Sequence, residues 1–155
     1  MFFIGMIALI LLVDLGIKDT IEEADATAFP KEMEGTGGKI VLYQNHNDGF
    51  PFGLFRSQQE LVRSVPLVIT SALGGIFFWL CQRKGQMVEK MAVSMMLGGA
   101  LSNLYDRLVR HYVVDYFSIQ WKNLKKVVFN LGDIFIFLGT GILLVNELIH
   151  IFREK

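Results

Sequence analysis

Four long apolar runs constrain this chain more than anything else in it: Met1–Ile17, Val65–Gln82, Met91–Tyr105 and Leu131–Phe152. A helix that spans a bilayer needs roughly 20 mostly apolar residues, with a usable range of about 17–25. The second and fourth runs meet that length and the first is borderline. The third meets it once Met87–Lys90 is counted as its interfacial end. Backbone N–H and C=O groups have no water to bond in lipid, so each run is expected to be helical. Composition agrees: of 155 residues, 52% are hydrophobic and 19% charged, with a mean hydropathy of +0.43. Ordinary soluble domains are about 45–50% apolar and about 25% charged. The expected fold class is therefore integral membrane, mainly α. It is one embedded domain, 1–155, with four transmembrane helices at about 1–17, 65–82, 87–105 and 131–152. A small extracytoplasmic segment containing β structure completes it.

The connections 18–64 and 106–130 are expected outside the cytoplasm. In the first, Lys39–Gln44 reads as a strand leading into the turn signal Asn45-His46-Asn47-Asp48-Gly49. Asp19–Gly38 reads as a loop, and Tyr112–Phe117 as a second short strand. The short loop Gln82–Lys90 holds Arg83, Lys84 and Lys90, and the tail holds Arg153 and Lys155. The positive-inside rule places these, and with them both termini, in the cytoplasm. Each outer connection also carries five basic residues, so the preference rests on charge density in the short loop. Ala24-Asp25-Ala26 has cleavage-site spacing, but no Lys or Arg precedes the first run, so an uncleaved helix is expected. Fifteen basic against fifteen acidic residues give no net charge and no basis for a nucleic-acid partner. The lone Cys81 excludes an internal disulfide, and His46, His111 and His150 share no ligand spacing, so neither metal nor cofactor is expected.

Ionisable groups at membrane depth default to functional hypotheses. Asp14 and Lys18 are one helical turn apart, acid first, the favourable order for an ion pair. At the end of the third run, Gly98, Gly99, Ala100 and Ser102 are small enough for another helix to approach closely. Asn103, Asp106 and Arg107 follow at helical spacing and share a face. Asp115 lies in the apolar stretch Tyr112–Phe117, and Asp133 opens the fourth run three residues after Asn130. The chain between Asp115 and Asp133 leaves and returns to one membrane face, so the two acids can meet at one depth. In a partly dry site, desolvation and like-charge repulsion leave such a pair with one proton. The ionised member can then take a proton from water while the protonated member donates to a scissile carbonyl.

The residues resemble those of the lipoprotein signal peptidases (signal peptidase II) along nearly the whole chain. Asp14-Leu15-Gly16-Ile17-Lys18 resembles the family's Asp-Gln-x-x-Lys. Asn47-Asp48-Gly49-Phe50-Pro51-Phe52-Gly53 resembles Asn-x-Gly-Ala-Ala-Phe-Gly. Gly98 through Arg107 resembles Gly-Gly-Ala-x-Gly-Asn-x-x-Asp-Arg. Val113-Val114-Asp115-Tyr116 with Phe129-Asn130-Leu131-Gly132-Asp133 resembles Val-Val-Asp-Phe paired with Phe-Asn-x-Ala-Asp. Leu15, Phe50-Pro51, Ser102, Gly132 and Val127-Val128 depart from the pattern and mark a divergent member.

The resemblance implies an aspartyl endopeptidase of the bacterial inner membrane. It would cut diacylglyceryl-modified prolipoproteins before the lipidated cysteine, without a cofactor. Asp115 and Asp133 would be the catalytic pair. Asn47, Gly49, Gly53, Asn103, Arg107 and Asn130 would contact substrate, and Asp14, Lys18 and Asp106 would support the site. Partners would be prolipoproteins, membrane lipid and cyclic peptide inhibitors such as globomycin. The alternatives are a catalytically silent paralogue that binds lipopeptides or peptide antibiotics, suggested by Leu15 and Phe50-Pro51, and a proton-conducting subunit, suggested by Asp14, Asp133 and Glu147. The latter is weakened because those acids line no continuous path.

Overall fold

The computed structural model of the chain describes residues 1–49 and 57–153. The elements run α1 (Phe2–Glu23), β1 (Lys31–Glu32), β2 (Ile40–Asn47), α2 (Gln59–Cys81), α3 (Met87–Tyr105), β3 (Val113–Ile119) and α4 (Leu131–Arg153). A π-helical turn, Asp106–Arg110, extends α3, and a 3-10 turn, Lys122–Lys126, leads from β3 back towards α4. The fold is mainly helical with a three-stranded antiparallel sheet in the order β1-β2-β3. Phe50–Gly53, including the expected contact residue Gly53, lie outside the described residues.

All four apolar runs are helical, and two of the helices start or end well beyond the apolar residues. α1 continues six residues past Ile17 because its polar last turns find partners. Lys18 is buried in an ion cluster, and Glu22 accepts from the Tyr112 hydroxyl at 2.9 Å and pairs with His46 at 2.8 Å. Gln44 Nε2 donates to the Ile21 carbonyl at 2.9 Å, satisfying a group that a helix end would otherwise leave open. α2 begins at Gln59, six residues ahead of its apolar run, and carries Pro66 within it. At the opposite end of the bundle Lys90 Nζ donates to the Arg83 carbonyl at 2.6 Å, which closes the loop between α2 and α3.

The helices pack with their polar groups inside and much of their apolar surface outside. Asp14, Lys18, Ser94, Ser102 and Asp106 are fully buried. Leu9, Leu12, Val68, Phe78, Phe137, Leu144, Val145 and Phe152 are exposed. A soluble monomer rarely shows so much contiguous apolar surface, whereas lipid favours it. α2 and α4 are long and apolar enough to cross a membrane. Small residues let α3 meet its neighbours. A Cβ on Gly98 would stand 2.9 Å from Ile10 of α1. A Cβ on Gly99 would collide with the Gly132 backbone of α4, and one on Gly139 with the backbone of Ala92.

The sheet sits over one end of this bundle. β2 runs through Asn45-His46-Asn47, where the sequence suggested a turn. A register shift between Leu42 and Asn45 absorbs the irregularity, and pairing with β3 resumes at Asn45 opposite Asp115. β1, unexpected within Asp19–Gly38, pairs Lys31 with Leu42 and Glu32 with Val41. Val114 and Tyr116 of β3 pack on Ile21 of α1, so alternation directs Asp115 to the opposite face. Phe117 and Phe129 exchange backbone hydrogen bonds of 3.0 and 2.8 Å, which pins the residue before Asn130 to β3.

Gly99→Ala is expected to destabilise the protein by about 1–3 kcal/mol, the usual cost of overpacking a tight contact. Gly141→Ala, where a Cβ meets nothing within 4 Å, serves as the control. Thermal melting in detergent compares the two.

Candidate active site

Local rules at the start of α4 position Asp133. The Asp133 backbone N–H donates to Asn130 Oδ1 at 2.8 Å, and the Asn130 N–H donates to Asp133 Oδ2 at 3.3 Å. This is a reciprocal capping box, with Asn130 as N-cap and Asp133 three residues on. It holds a carboxylate in the first turn, where the helix dipole favours negative charge. Asn130 is fully buried, and its remaining donor, Nδ2, reaches Asp115 Oδ1 at 2.8 Å. One asparagine therefore bonds both acids and fixes their relative position.

Asp115 Oδ2 accepts from Asn47 Nδ2 at 3.1 Å. Asn47 Oδ1 in turn accepts the Gly49 N–H at 3.2 Å, an Asx turn that ends β2 and aims the amide at the acid. Arg107, in the π turn after α3, donates from Nη2 to the Gly49 carbonyl at 3.0 Å. Its charge also acts on Asp115, Asp133 and Asp106. Asn103 donates from Nδ2 to Asp133 Oδ1 at 2.8 Å. Asn47, Gly49, Asn103, Arg107, Asn130 and the two acids thus form one site, built from the ends of β2, α3 and β3 and the start of α4.

Beneath the site lies a cluster of buried charges. Lys18 Nζ is 3.1 Å from Asp14 Oδ2 and 2.9 Å from Asp106 Oδ2. It also donates to Ser102 Oγ at 3.1 Å and to Asn103 Oδ1 at 2.9 Å. Asp14 Oδ1 accepts from the Tyr116 hydroxyl at 2.9 Å and from the Leu131 N–H at 3.1 Å. Asp106 Oδ2 accepts the Val114 N–H at 3.1 Å, and Asp106 Oδ1 pairs with Arg110 at 2.7 Å. Arg110 then reaches Asp19 of α1. Asp14 and Lys18 are thus more than the simple i,i+4 pair read from the sequence. They tie α1 to α3, β3 and α4 at the points that carry the site.

Three members of this network have polar roles that the sequence did not reveal. Ser102 donates to Asp14 Oδ2 at 2.6 Å. Its signal was its position one turn before Asp106 on the same helical face. Tyr116 carried no local signal, because its partner Asp14 lies 102 residues away. Arg110 stands one helical turn after Asp106, a local spacing for an ion pair, and only its contact with Asp19, 91 residues away, had none.

Burial, and then the charge of Asp133, push the Asp115 carboxyl up to about 7; the amides of Asn47 and Asn130 and the charge of Lys18 act against them. Burial and the neighbouring Asp14 likewise raise the Tyr116 hydroxyl above its usual range, so it stays a neutral donor. The arrangement provides a protonated carboxyl and a second acid joined through an asparagine, beside a guanidinium. That is equipment for moving protons to and from a polarised carbonyl. Among the described residues no cluster of His, Cys, Asp and Glu is arranged to hold a metal ion.

The sequence profile of the family described as Signal peptidase (SPase) II matches residues 6–149. Proteins of Brucella ovis and Brucella abortus (strain 2308), both named lipoprotein signal peptidase, are each 28% identical over 152 residues, spanning 97% of this chain and 91% of theirs. A structure titled as a bacterial membrane enzyme solved in meso at 2.3 Å superposes with a TM-score of 0.84, covering 99% of this chain and 91% of that one at 18% identity. A second such structure, at 1.9 Å, superposes at 0.79 over 94% and 92% with 19% identity. At those identities the likeness is one of fold.

An acid whose value is raised on folding favours the folded state below its unfolded value, 3.8 here, and loses that contribution as pH rises through about 7. Melting stability should therefore fall between about pH 4 and 7, by up to about 1.4 kcal/mol per pH unit. In Asp115→Asn that slope should flatten, as read from thermal melts across pH.

Proposed function

The chain belongs to the signal peptidase II family, and from that premise we propose that it is an intramembrane aspartyl endopeptidase acting on diacylglyceryl-modified prolipoproteins. It removes the signal peptide by cutting before the lipidated cysteine. The observation that carries this reading is the buried Asn130, whose side chain and backbone bond both Asp115 and Asp133.

Asp115, whose ionisation is shifted towards neutral pH, keeps the proton. Asp133, at the first turn of a helix, is suited to remain a carboxylate. A water between them loses a proton to Asp133 as its oxygen attacks the scissile carbonyl carbon. Asp115 gives its proton to the carbonyl oxygen. As the tetrahedral intermediate collapses, the C–N bond breaks. The proton taken from water passes to the leaving amine, and Asp115 regains its own. Arg107, tied to Gly49, anchors the chain that borders the site, and its charge offsets those of the two acids.

The same end of the bundle holds the C-terminus of α1, the N-terminus of α2, the C-terminus of α3 and the N-terminus of α4. Four spans in alternation then put both termini, with Arg83 and Lys84, at the opposite face. On the positive-inside rule that face is the cytoplasm, and the membrane is the bacterial inner membrane. The substrate's signal helix and acyl chains, dissolved in lipid, reach the site laterally at the outer interface. Cyclic peptides such as globomycin would compete there.

Incubation of purified protein with a diacylglyceryl-cysteine precursor should release the signal peptide, detected by mass. Asp115→Asn and Asp133→Asn should each lower the rate at least about a hundredfold, while inserting and melting as folded proteins. Full activity in either variant would remove the mechanism. Binding of the precursor without turnover in the wild type would instead identify a silent relative.

A further inference from the structure

Lys18 touches neither solvent nor any surface a substrate can reach, yet it is two hydrogen bonds from Asp133. An ammonium group has three donors and accepts nothing. The fully buried Lys18 Nζ spends them on four oxygens, of Asp14, Asp106, Ser102 and Asn103. The last contact, at 2.9 Å, is to Asn103 Oδ1, and the other end of that carboxamide donates to Asp133 Oδ1 at 2.8 Å. A carboxamide presents an acceptor at one end and donors at the other, and which way it points is set by its surroundings. A cation at one end leaves it a single orientation.

We propose that Lys18 is a positioning residue of the reacting pair: it holds the oxygen of Asn103, so that only N–H donors face Asp133 and the reacting atoms. This rests on the protease reading above. Were the amide reversed, its oxygen would confront a carboxylate, and less of Asp133 would be in the ionised form that can take the proton of water.

The surrounding charges make this role separable from charge balance. Lys18 is faced by Asp14 on its own helix and by Asp106 from the π turn, and Asp106 is also neutralised by Arg110, which in turn meets Asp19. The pair itself is faced by the amides of Asn47, Asn103 and Asn130 and by the charges of Arg107, Lys18 and Asp14. Replacing Lys18 and Asp14 together removes one charge of each sign and leaves the Asp106–Arg110 pair intact.

The test is steady-state cleavage of a diacylglyceryl-cysteine precursor across pH, with purified wild type, Lys18→Met/Asp14→Asn and Asn103→Leu. The charge-balanced double variant should keep its helical circular dichroism and its KM within about twofold. It should lose about tenfold or more in kcat, the pattern of an interaction felt only in the transition state. The acid limb of its kcat profile should move to higher pH, because the oriented donor that favours the ionised form is gone, while the charges of Lys18 and Asp14, which act in opposite senses, leave together. Asn103→Leu keeps the cation and should show the same displaced limb. Adding it to the double variant should cost less than the product of the separate losses, since both changes cut one chain of contacts.

A folded double variant with wild-type kcat and acid limb overturns the proposal, as do a loss confined to KM and losses that multiply independently. Should the double variant fail to fold, an unchanged acid limb in Asn103→Leu overturns it. Asp115→Asn, measured alongside, separates the two levels. Activity there defeats the protease reading, whereas inactivity there with an unaffected Lys18 variant defeats only the positioning role.

Discussion

A lysine buried between helices is tolerable only if every proton of its ammonium finds an oxygen and its charge is met close by. Removing one partner from such a buried ion pair typically costs about 3–5 kcal/mol, because the remaining charge is stranded. Lys18 satisfies that demand with two carboxylates, a serine and an asparagine drawn from α1, α3 and the π turn. The same two carboxylates have further oxygen capacity. Asp106 uses its share on the Val114 N–H of β3, and Asp14 on Tyr116 and the first N–H of α4. The contacts around the cation therefore reach the places where β3 leaves the bundle and where α4 begins, and those two places carry Asp115 and Asp133.

The site inherits its order from this cluster and from two local devices. The capping box at Asn130 orients Asp133, and the Asx turn at Asn47 orients the amide that meets Asp115. Neither device alone would bring the acids together. That falls to the close approach of α3 and α4 at Gly99 and Gly132, where a single methyl group would force the helices apart. Backbone proximity lets Asn103 on α3 span the gap to Asp133 on α4.

Much of this was legible beforehand because it follows from short-range pattern. Four apolar runs became four helices, since lipid-length apolar segments have few other ways to satisfy their backbones. Tyr112–Phe117 and Lys39–Gln44 became the cores of β3 and β2, displaced by one to three residues at their ends. The i,i+4 spacing of Asp14 and Lys18 implied an ion pair, and the Asn130-x-x-Asp133 spacing carried a helix start. The glycines at 98 and 99 announced close helix packing. Chain order implied that Asp115 and Asp133 can meet, and one asparagine bonds both.

What pattern could not supply was the identity of partners distant in the chain. The last turns of α1 are polar, and only Gln44, His46, Tyr112 and Arg110, contributed by other elements, make it worthwhile for the helix to continue to Glu23. β1 exists because β2 offers it an edge, not because Lys31-Glu32 prefers to be extended. Ser102 and Tyr116 look like ordinary packing residues until Asp14 is placed between them. The sequence by itself determined the helices and the apolar surface they present, and it supplied the acids and amides gathered at the site. Tertiary structure alone decided which donor faces which acceptor. Hydrogen bonds between groups as many as 117 residues apart depend on the angles and depths at which helices cross, and no local preference encodes those.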